Sequence, residues 1–312
     1  MRIDVHAHHY PRELRDAYAR LGKPAPAMEG APGSHVTLPE RVDMLKESGV
    51  DLQVLSVGTN QPYFPARENA VAGAHFANDC YADLCKGYDG RFATFGCVPL
   101  PHVDAAIEEV GRCLETLGML GISAGTSIAG RPLDDPAFEP FFAELDRRGA
   151  VLCLHPQGVG APMTDAYGLV WMMGGCFEDT VTSLRLVMSG LTTRHPHIKI
   201  IIPHLGGTLP FLMQRIDDSV WREVTRGGKP AVTKPSEAVR SLYFDTVNGH
   251  AGALRLSCEC LGADHIMLGT DFPHLFIEPC VQYILESGLP EDDVHTILDR
   301  SAQQLLGVGA RV

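Results

Sequence analysis

The sequence predicts an α/β fold, specifically a closed (β/α)8 TIM barrel. Short β-branched runs alternate with stretches of helical period, eight such runs can be counted, and they are apolar enough on both faces to be sheathed by helices. The 312 residues suit that class, because closed α/β barrels use roughly 200 to 300 residues as one domain. The expectation is therefore a single domain over 1–312, with loop insertions at 10–37 and 157–179.

The first strand is expected at residues 2–6, followed by a helix at 38–48 and a second strand at 52–57. A helix at 67–86 leads to the third strand, 92–98. The helix at 103–117 carries one apolar stripe, Ile107, Val110, Leu114 and Leu117, with Glu108, Glu109 and Arg112 turned elsewhere. The fourth strand, 121–126, is followed by a helix at 138–148 and the fifth strand at 151–154. Beyond a helix at 180–193 come the sixth strand, 199–202, and a helix at 209–224. The seventh strand, 241–245, a helix at 252–261 and the eighth strand, 265–268, complete the barrel, with two further helices at 279–286 and 291–306. The two insertions are longer than ordinary βα loops and follow strands at one barrel end, where such loops build active sites; a subunit-contact role is the alternative.

Composition narrows the function. Mean hydropathy is zero, with 45% hydrophobic and 21% charged residues, as in an ordinary globular chain. A formal charge of −12 excludes a nucleic-acid surface, which needs clustered Lys and Arg, so an anionic partner must meet a local positive centre. The nine cysteines contain no Cys-x-x-Cys pair and read as reduced thiols in a cytoplasmic protein. No run is long and apolar enough to span a membrane, and no leader is evident. The fourteen histidines are a surplus, and imidazole is the commonest metal ligand.

Those histidines fall at strand ends. His6 and His8 are two apart on an extended chain, so both can face one ion while His9 points away. His155 ends the fifth strand, His204 the sixth and Asp271 the eighth. Chance would scatter such residues over helices and loops as well, so a lone core histidine is the weaker reading here.

The segments His6-Ala-His8 with Pro11 soon after, Leu154-His-Pro156, His204-Leu-Gly-Gly-Thr-Leu-Pro210 and Gly269-Thr-Asp-Phe-Pro273 resemble the amidohydrolase superfamily. Within it they resemble the branch of aminocarboxymuconate semialdehyde, γ-resorcylate and fungal 6-methylsalicylate decarboxylases. The similarity runs from residue 2 to about residue 307, and the stretch from Arg147 to Pro210 resembles the 6-methylsalicylate group. The resemblance implies His6, His8, His155 and Asp271 as metal ligands and His204 as the acid/base or water-orienting histidine. Many hydrolytic members bridge two metals with a fourth-strand lysine. This chain has no lysine between Lys86 and Lys199, which implies one divalent ion. Zinc is the expected ion and manganese the alternative, because both accept imidazole and carboxylate.

The expected reaction is a metal-dependent, non-oxidative decarboxylation of a small aromatic or muconate-like carboxylic acid, without an organic cofactor. In it His204 would act as proton carrier, and Asp271 would shuttle the proton while touching the metal. Arg215, eleven residues after His204, is the candidate for the substrate's charge, and Arg41 is a weaker one. In some relatives the arginine at the place of Arg215 reaches a neighbouring active site, which implies a homodimer. A surface arginine paired with Asp217 or Asp218 is the rival reading. Trp171, Phe177 and Phe272 are candidates for an aromatic substrate wall, with core packing as the rival. His274 could bond a substrate hydroxyl or be structural. Two other functions stand beside the decarboxylase: a mononuclear hydrolase or hydratase acting on a lactone, amide or unsaturated acid, and a non-catalytic metal-binding barrel.

Overall fold

The computed structural model describes residues 1–23, 31–88, 90–159, 164–225 and 234–309, with the side chains of 221–225 left aside. Parts of both expected insertions, 24–30 and 160–163, lie outside the described residues.

Eight parallel strands form one sheet in chain order: Ile3–His8, Leu52–Ser56, Phe92–Cys97, Gly121–Gly125, Val151–His155, Lys199–Ile202, Tyr243–Asp245 and Ile266–Met267. The ends of the sheet meet, because Val5 N–H donates to Leu268 O at 2.9 Å and Asp271 N–H to His6 O at 2.8 Å. These bonds make the predicted (β/α)8 barrel. Its interior packs Ile3, Val5, Leu52, Val54, Phe95, Val151, Cys153, Ile201 and Met267 against Ala302 and Leu305 of the last helix. A second, larger core lies between the sheet and the surrounding helices.

The first strand contains an irregularity that matters for the site. Between Asp4 and Ala7 it advances three residues while its neighbour advances two, from Gln53 to Leu55. Ile3 and Val5 face the barrel interior and Ala7 faces the helices, so the one extra residue lets His6 face inward as well as His8. Asp4, fully buried on the helix side, locks this seam. It accepts hydrogen bonds from His6 N–H (3.1 Å), Thr270 N–H (3.1 Å), Thr270 Oγ1 (2.6 Å) and Gln53 Nε2 (2.6 Å).

Several expected elements are corrected. The insertion at 10–37 carries a helix, Arg12–Arg20, whose Leu14, Ala17 and Tyr18 are buried. That at 157–179 is helical in its second half, with a π-helical turn at Val170–Gly174 running into Gly175–Met188. The helix expected at 180–193 thus starts earlier and stops at Met188, and a separate turn, Leu191–Arg194, follows Gly190. A small antiparallel ribbon, Ser127–Ile128 with Arg131–Pro132, was not anticipated. Helices 103–117 and 291–306 each include a π-helical turn, at Arg112–Thr116 and Thr296–Arg300.

Candidate metal centre

His6, His8, His155 and Asp271 converge at the carboxyl end of the barrel, each offering one ligand atom, and the four atoms lie within 4.8 Å of one another. His6 Nε2 and His8 Nε2 are 3.1 Å apart, and Asp271 Oδ1 lies 3.3 Å from the first and 3.0 Å from the second. The His155 ring sits 4.7 Å from that of His8 and 5.3 Å from that of His6, centroid to centroid. Both first-strand imidazoles are almost wholly buried, whereas the side chains of Asp271 and His204 are each 15% exposed. The centre therefore opens to solvent on the side of those two residues.

The other ring nitrogen of every imidazole is engaged. His6 Nδ1 meets Asp245 Oδ2 at 2.6 Å, His8 Nδ1 meets Ser56 Oγ at 3.1 Å, and His155 Nδ1 faces Pro156 O at 2.8 Å. A carboxylate or carbonyl at Nδ1 holds the proton there and leaves Nε2 as a lone pair, the tautomer a metal ligand requires. Three lone pairs and a carboxylate oxygen facing one another at these distances call for a shared positive centre. The donor set fits one divalent cation.

Without an ion the three imidazoles differ in protonation, and a bound cation would have to displace the proton from His6 Nε2. Burial lowers the His8 pKa to about 4 and takes that of His155 well below its ordinary value. Burial also opposes charge on His6, but Asp245 and Asp271 outweigh it and raise its pKa to about 10. Burial acts against the Asp271 carboxylate too, yet His204, His6 and His8 hold it well below the usual range.

His204 lies beside the cluster, with its Nε2 4.0 Å from Asp271 Oδ2 and its ring 5.5 Å from that of His6. It opens a run of four residues with positive φ: His204 (55°), Leu205 (54°), Gly206 (72°) and Gly207 (65°). Two of these are not glycine, a strained arrangement of the kind found at functional sites. The run turns the chain sharply at the strand end and presents Nδ1 to Asp179 Oδ2 at 2.8 Å. Asp271 is likewise left-handed, at φ 57°.

The substrate candidates are placed differently from the ligands. Phe272 is 2% exposed, with its ring 4.3 Å from the Arg41 guanidinium, so its place on an aromatic wall gives way to core packing. Arg41 is buried as well, bonding Gln53 Oε1 at 2.6 Å and His8 O at 2.8 Å, and is therefore part of the scaffold. Trp171 lies over Gly158 and is 61% exposed, and Phe177 is 42% exposed. Arg215 is exposed and lines a surface groove with Met188, Leu212, Ile216, Ser219 and Val220. The carboxylates suggested as its partners bond elsewhere, Asp217 to Ser236 and Asp218 to Gln214. His274 is exposed, its ring 6.2 Å from that of His8, while His9 turns away into a groove with Pro11, Glu13 and Phe76.

Sequence reasoning missed the partners of the imidazoles: Asp245 on His6, Ser56 on His8 and Asp179 on His204, together with Tyr10, whose ring stacks 6.1 Å from that of His8. Asp245 had a legible signal, since it ends the seventh strand as the ligands end theirs. On the fourth strand, the space beside Gly125 is filled by the Gln157 side chain, with a Cβ at Gly125 only 2.6 Å from its carbons.

The amidohydrolase family model matches residues 3–308. The chain is 31% identical over 274 residues to a γ-resorcylate decarboxylase of Rhodococcus jostii, covering 81% of this chain and 82% of the relative. It is 28% identical over 316 residues to a 6-methylsalicylic acid decarboxylase of Penicillium expansum, with 97% and 95% covered. Among solved structures, a dihydroxybenzoic acid decarboxylase from Polaromonas, holding manganese and the inhibitor 2-nitroresorcinol, superposes with a TM-score of 0.84. Its identity is 25%, and the match covers 99% of this chain and 98% of that one. With the family model matched along nearly its whole length, the chain belongs to the amidohydrolase family, in its decarboxylase branch.

Proposed function

We infer that this chain is a carboxy-lyase, a metal-dependent, non-oxidative decarboxylase of a small aromatic carboxylic acid. The observation that carries the reading is the donor set His6, His8, His155 and Asp271 with His204 beside its open side, in a chain related to decarboxylases along its length. We treat 1–312 as one barrel domain built around that site.

The four residues would hold one divalent ion, which when bound would polarise the oxygens of an anionic substrate and supply the positive charge that a protein of net charge −12 otherwise lacks. The chain's residues manage the proton. In the net reaction the ring carbon bearing the carboxylate gains a proton, the bond to the carboxylate breaks, its electron pair returns to the ring, and carbon dioxide leaves. His204 is the proton carrier. Its pKa stands well above the ordinary value, because Asp179 and Asp271 outweigh the effect of burial. Asp271 links that imidazole to the ligand cluster. Tyr10 stacks beside His8, its ring centroid 6.1 Å from that of the imidazole.

The ion is zinc or manganese. The donor set suits both, and the Polaromonas relative holds manganese. Metal analysis of the purified protein, followed by activity after reconstitution with each ion, decides between them. Assembly as a homodimer fits the largely apolar groove that Arg215 lines with Met188, Leu212, Ile216 and Val220, and the exposed apolar side chains Phe177, Val181 and Phe211 carried by the same two helices. Light scattering tests the assembly, and mixed dimers carrying Arg215→Ala in one protomer test action across the interface. The nine unpaired thiols suit a cytoplasmic location. No helix among the described residues is long and apolar enough to cross a membrane.

The deciding assay is release of carbon dioxide from a panel of hydroxybenzoates by the metal-loaded protein. Absence of release across the panel, together with incorporation of labelled water into a lactone, amide or unsaturated acid, would replace this reading by the hydrolase or hydratase one.

A further inference from the structure

We propose that Asp179 is the positioning residue of the proton carrier: it accepts the Nδ1 proton of His204 and thereby fixes Nε2 as the nitrogen facing Asp271 and the open side of the centre. The proposal rests on the reading of His204 as that carrier and names the group that orients it.

Three observations converge. First, Asp179 is fully buried and reaches His204 Nδ1 at 2.8 Å through Oδ2, while Oδ1 has no hydrogen-bond partner among the described residues. A buried carboxylate with one oxygen unsatisfied is costly, and it is tolerated where a specific proton or charge faces it. Second, two elements meet closely to bring the pair together. The helix Gly175–Met188 carries Asp179, and the left-handed run at 204–207 presses against that helix's first turn. At Gly207 a Cβ would lie 1.9 Å from Cys176 O, so only glycine allows the approach. Thr180, next to Asp179, ties the contact with its hydroxyl 2.8 Å from the amide of Thr208 and 3.2 Å from Gly206 O. Third, Asp245 accepts His204 N–H at 2.9 Å, so the backbone of the histidine is fixed separately from its ring. Asp179 therefore has one task that no other described contact performs, the choice of ring nitrogen that carries the fixed proton.

Glu178, the preceding residue on the helix, acts on the other side of the centre. It accepts from Thr126 Oγ1 (2.7 Å) and from the amides of Gln157 (2.8 Å) and Val159 (2.6 Å), and so holds the loop that follows His155. One helical turn thus braces the chain after two functional histidines.

The test has a spectroscopic arm and a kinetic arm. In zinc-loaded protein labelled with 15N-histidine, the His204 ring is assigned by comparison with His204→Gln. A proton on Nδ1 in the wild type is expected, and an Nδ1 without a proton overturns the proposal. This arm needs no substrate, so it stands even if the decarboxylase reading fails. In Asp179→Asn the amide can donate to Nδ1 and invert the tautomer, by analogy with triads in which this exchange costs up to about 10⁴-fold. The expected result is a kcat lower by about 10² to 10⁴-fold, with metal content unchanged and KM within about threefold. A kcat within about threefold of wild type overturns the assignment, as does a loss confined to KM. If the variant fails to fold, the wild-type spectrum alone decides.

Discussion

Asp245 provides the sharpest test of how the centre is built. Its Oδ2 lies 2.6 Å from His6 Nδ1, and its Oδ1 accepts two backbone amides, His204 at 2.9 Å and Val247 at 3.0 Å. Replacement by asparagine separates these duties. The asparagine oxygen can still serve both amides, but its NH₂ faces His6 and donates to Nδ1. The ring then carries its proton on Nε2, where the ligand lone pair should be. Loss of such an orienting partner costs about 10 to 100-fold in metal affinity, equivalent to about 1.4 to 2.8 kcal/mol. The metal-free Asp245→Asn protein should melt close to wild type, because its amides remain paired. Asp245→Ala should differ on both counts, since two buried amides lose their acceptor at about 1 to 3 kcal/mol each. The assay is chelator competition for metal affinity, run beside melting of the metal-free proteins. An Asp245→Asn affinity within threefold of wild type would refute both the orienting role and the ligand role of His6.

Four further outcomes are expected. His204→Ala should lose at least about 10²-fold in turnover while keeping its metal, and metal loss there would remove His204 from the role of proton carrier. Asp271→Asn should lose metal and turnover together. Asparagine is the cleaner substitution because it tolerates the φ of 57° that alanine would strain, and wild-type metal content in this variant would refute Asp271 as a ligand. Gly207→Ala should lower the melting temperature by several degrees, through about 1 to 3 kcal/mol of strain against Cys176 O, and an unchanged melt would show that the helix can retreat. Glu139 is held near pKa 2 chiefly by Arg194, and Glu144 near 2 chiefly by Arg147. Both carboxylates are depressed, so their contribution is present above about pH 4.5 and is lost as pH falls toward 2. Thermal melts across that range should be shallower in an E139Q/E144Q double variant, and parallel slopes would refute the assignment.

The convergence of His6, His8, His155 and Asp271 was legible because each lies at a strand end, and period-two alternation says which way such residues face. The barrel followed from counting strands. What the sequence hid is of two kinds. Asp179 and Asp245 act 25 and 239 residues away from the histidines they hold; Asp245 is marked only by its place at a strand end, and nothing local marks Asp179 among 38 acidic residues. Residues 170–179 looked like a loop because glycine and methionine crowd there, yet tertiary contact makes them helical, with Glu178 and Asp179 each bonded to a different strand end. Phe272 misled in the opposite direction. Its neighbour Asp271 faces the centre, but the next residue along the chain faces the other way, into Arg41.

The extra residue in the first strand sets the barrel floor and its chemistry on opposite parities of the sequence. Ile3 and Val5 fill the floor from odd positions, and His6 and His8 work from even ones. A deletion of Val5 would erase that offset. Either the imidazoles would turn outward among the helices, or Ile3 would leave the floor to keep them inside. Length in this short segment is therefore as much a determinant of metal binding as the identity of the ligands, and a homologue one residue shorter here could keep every histidine and still bind no ion.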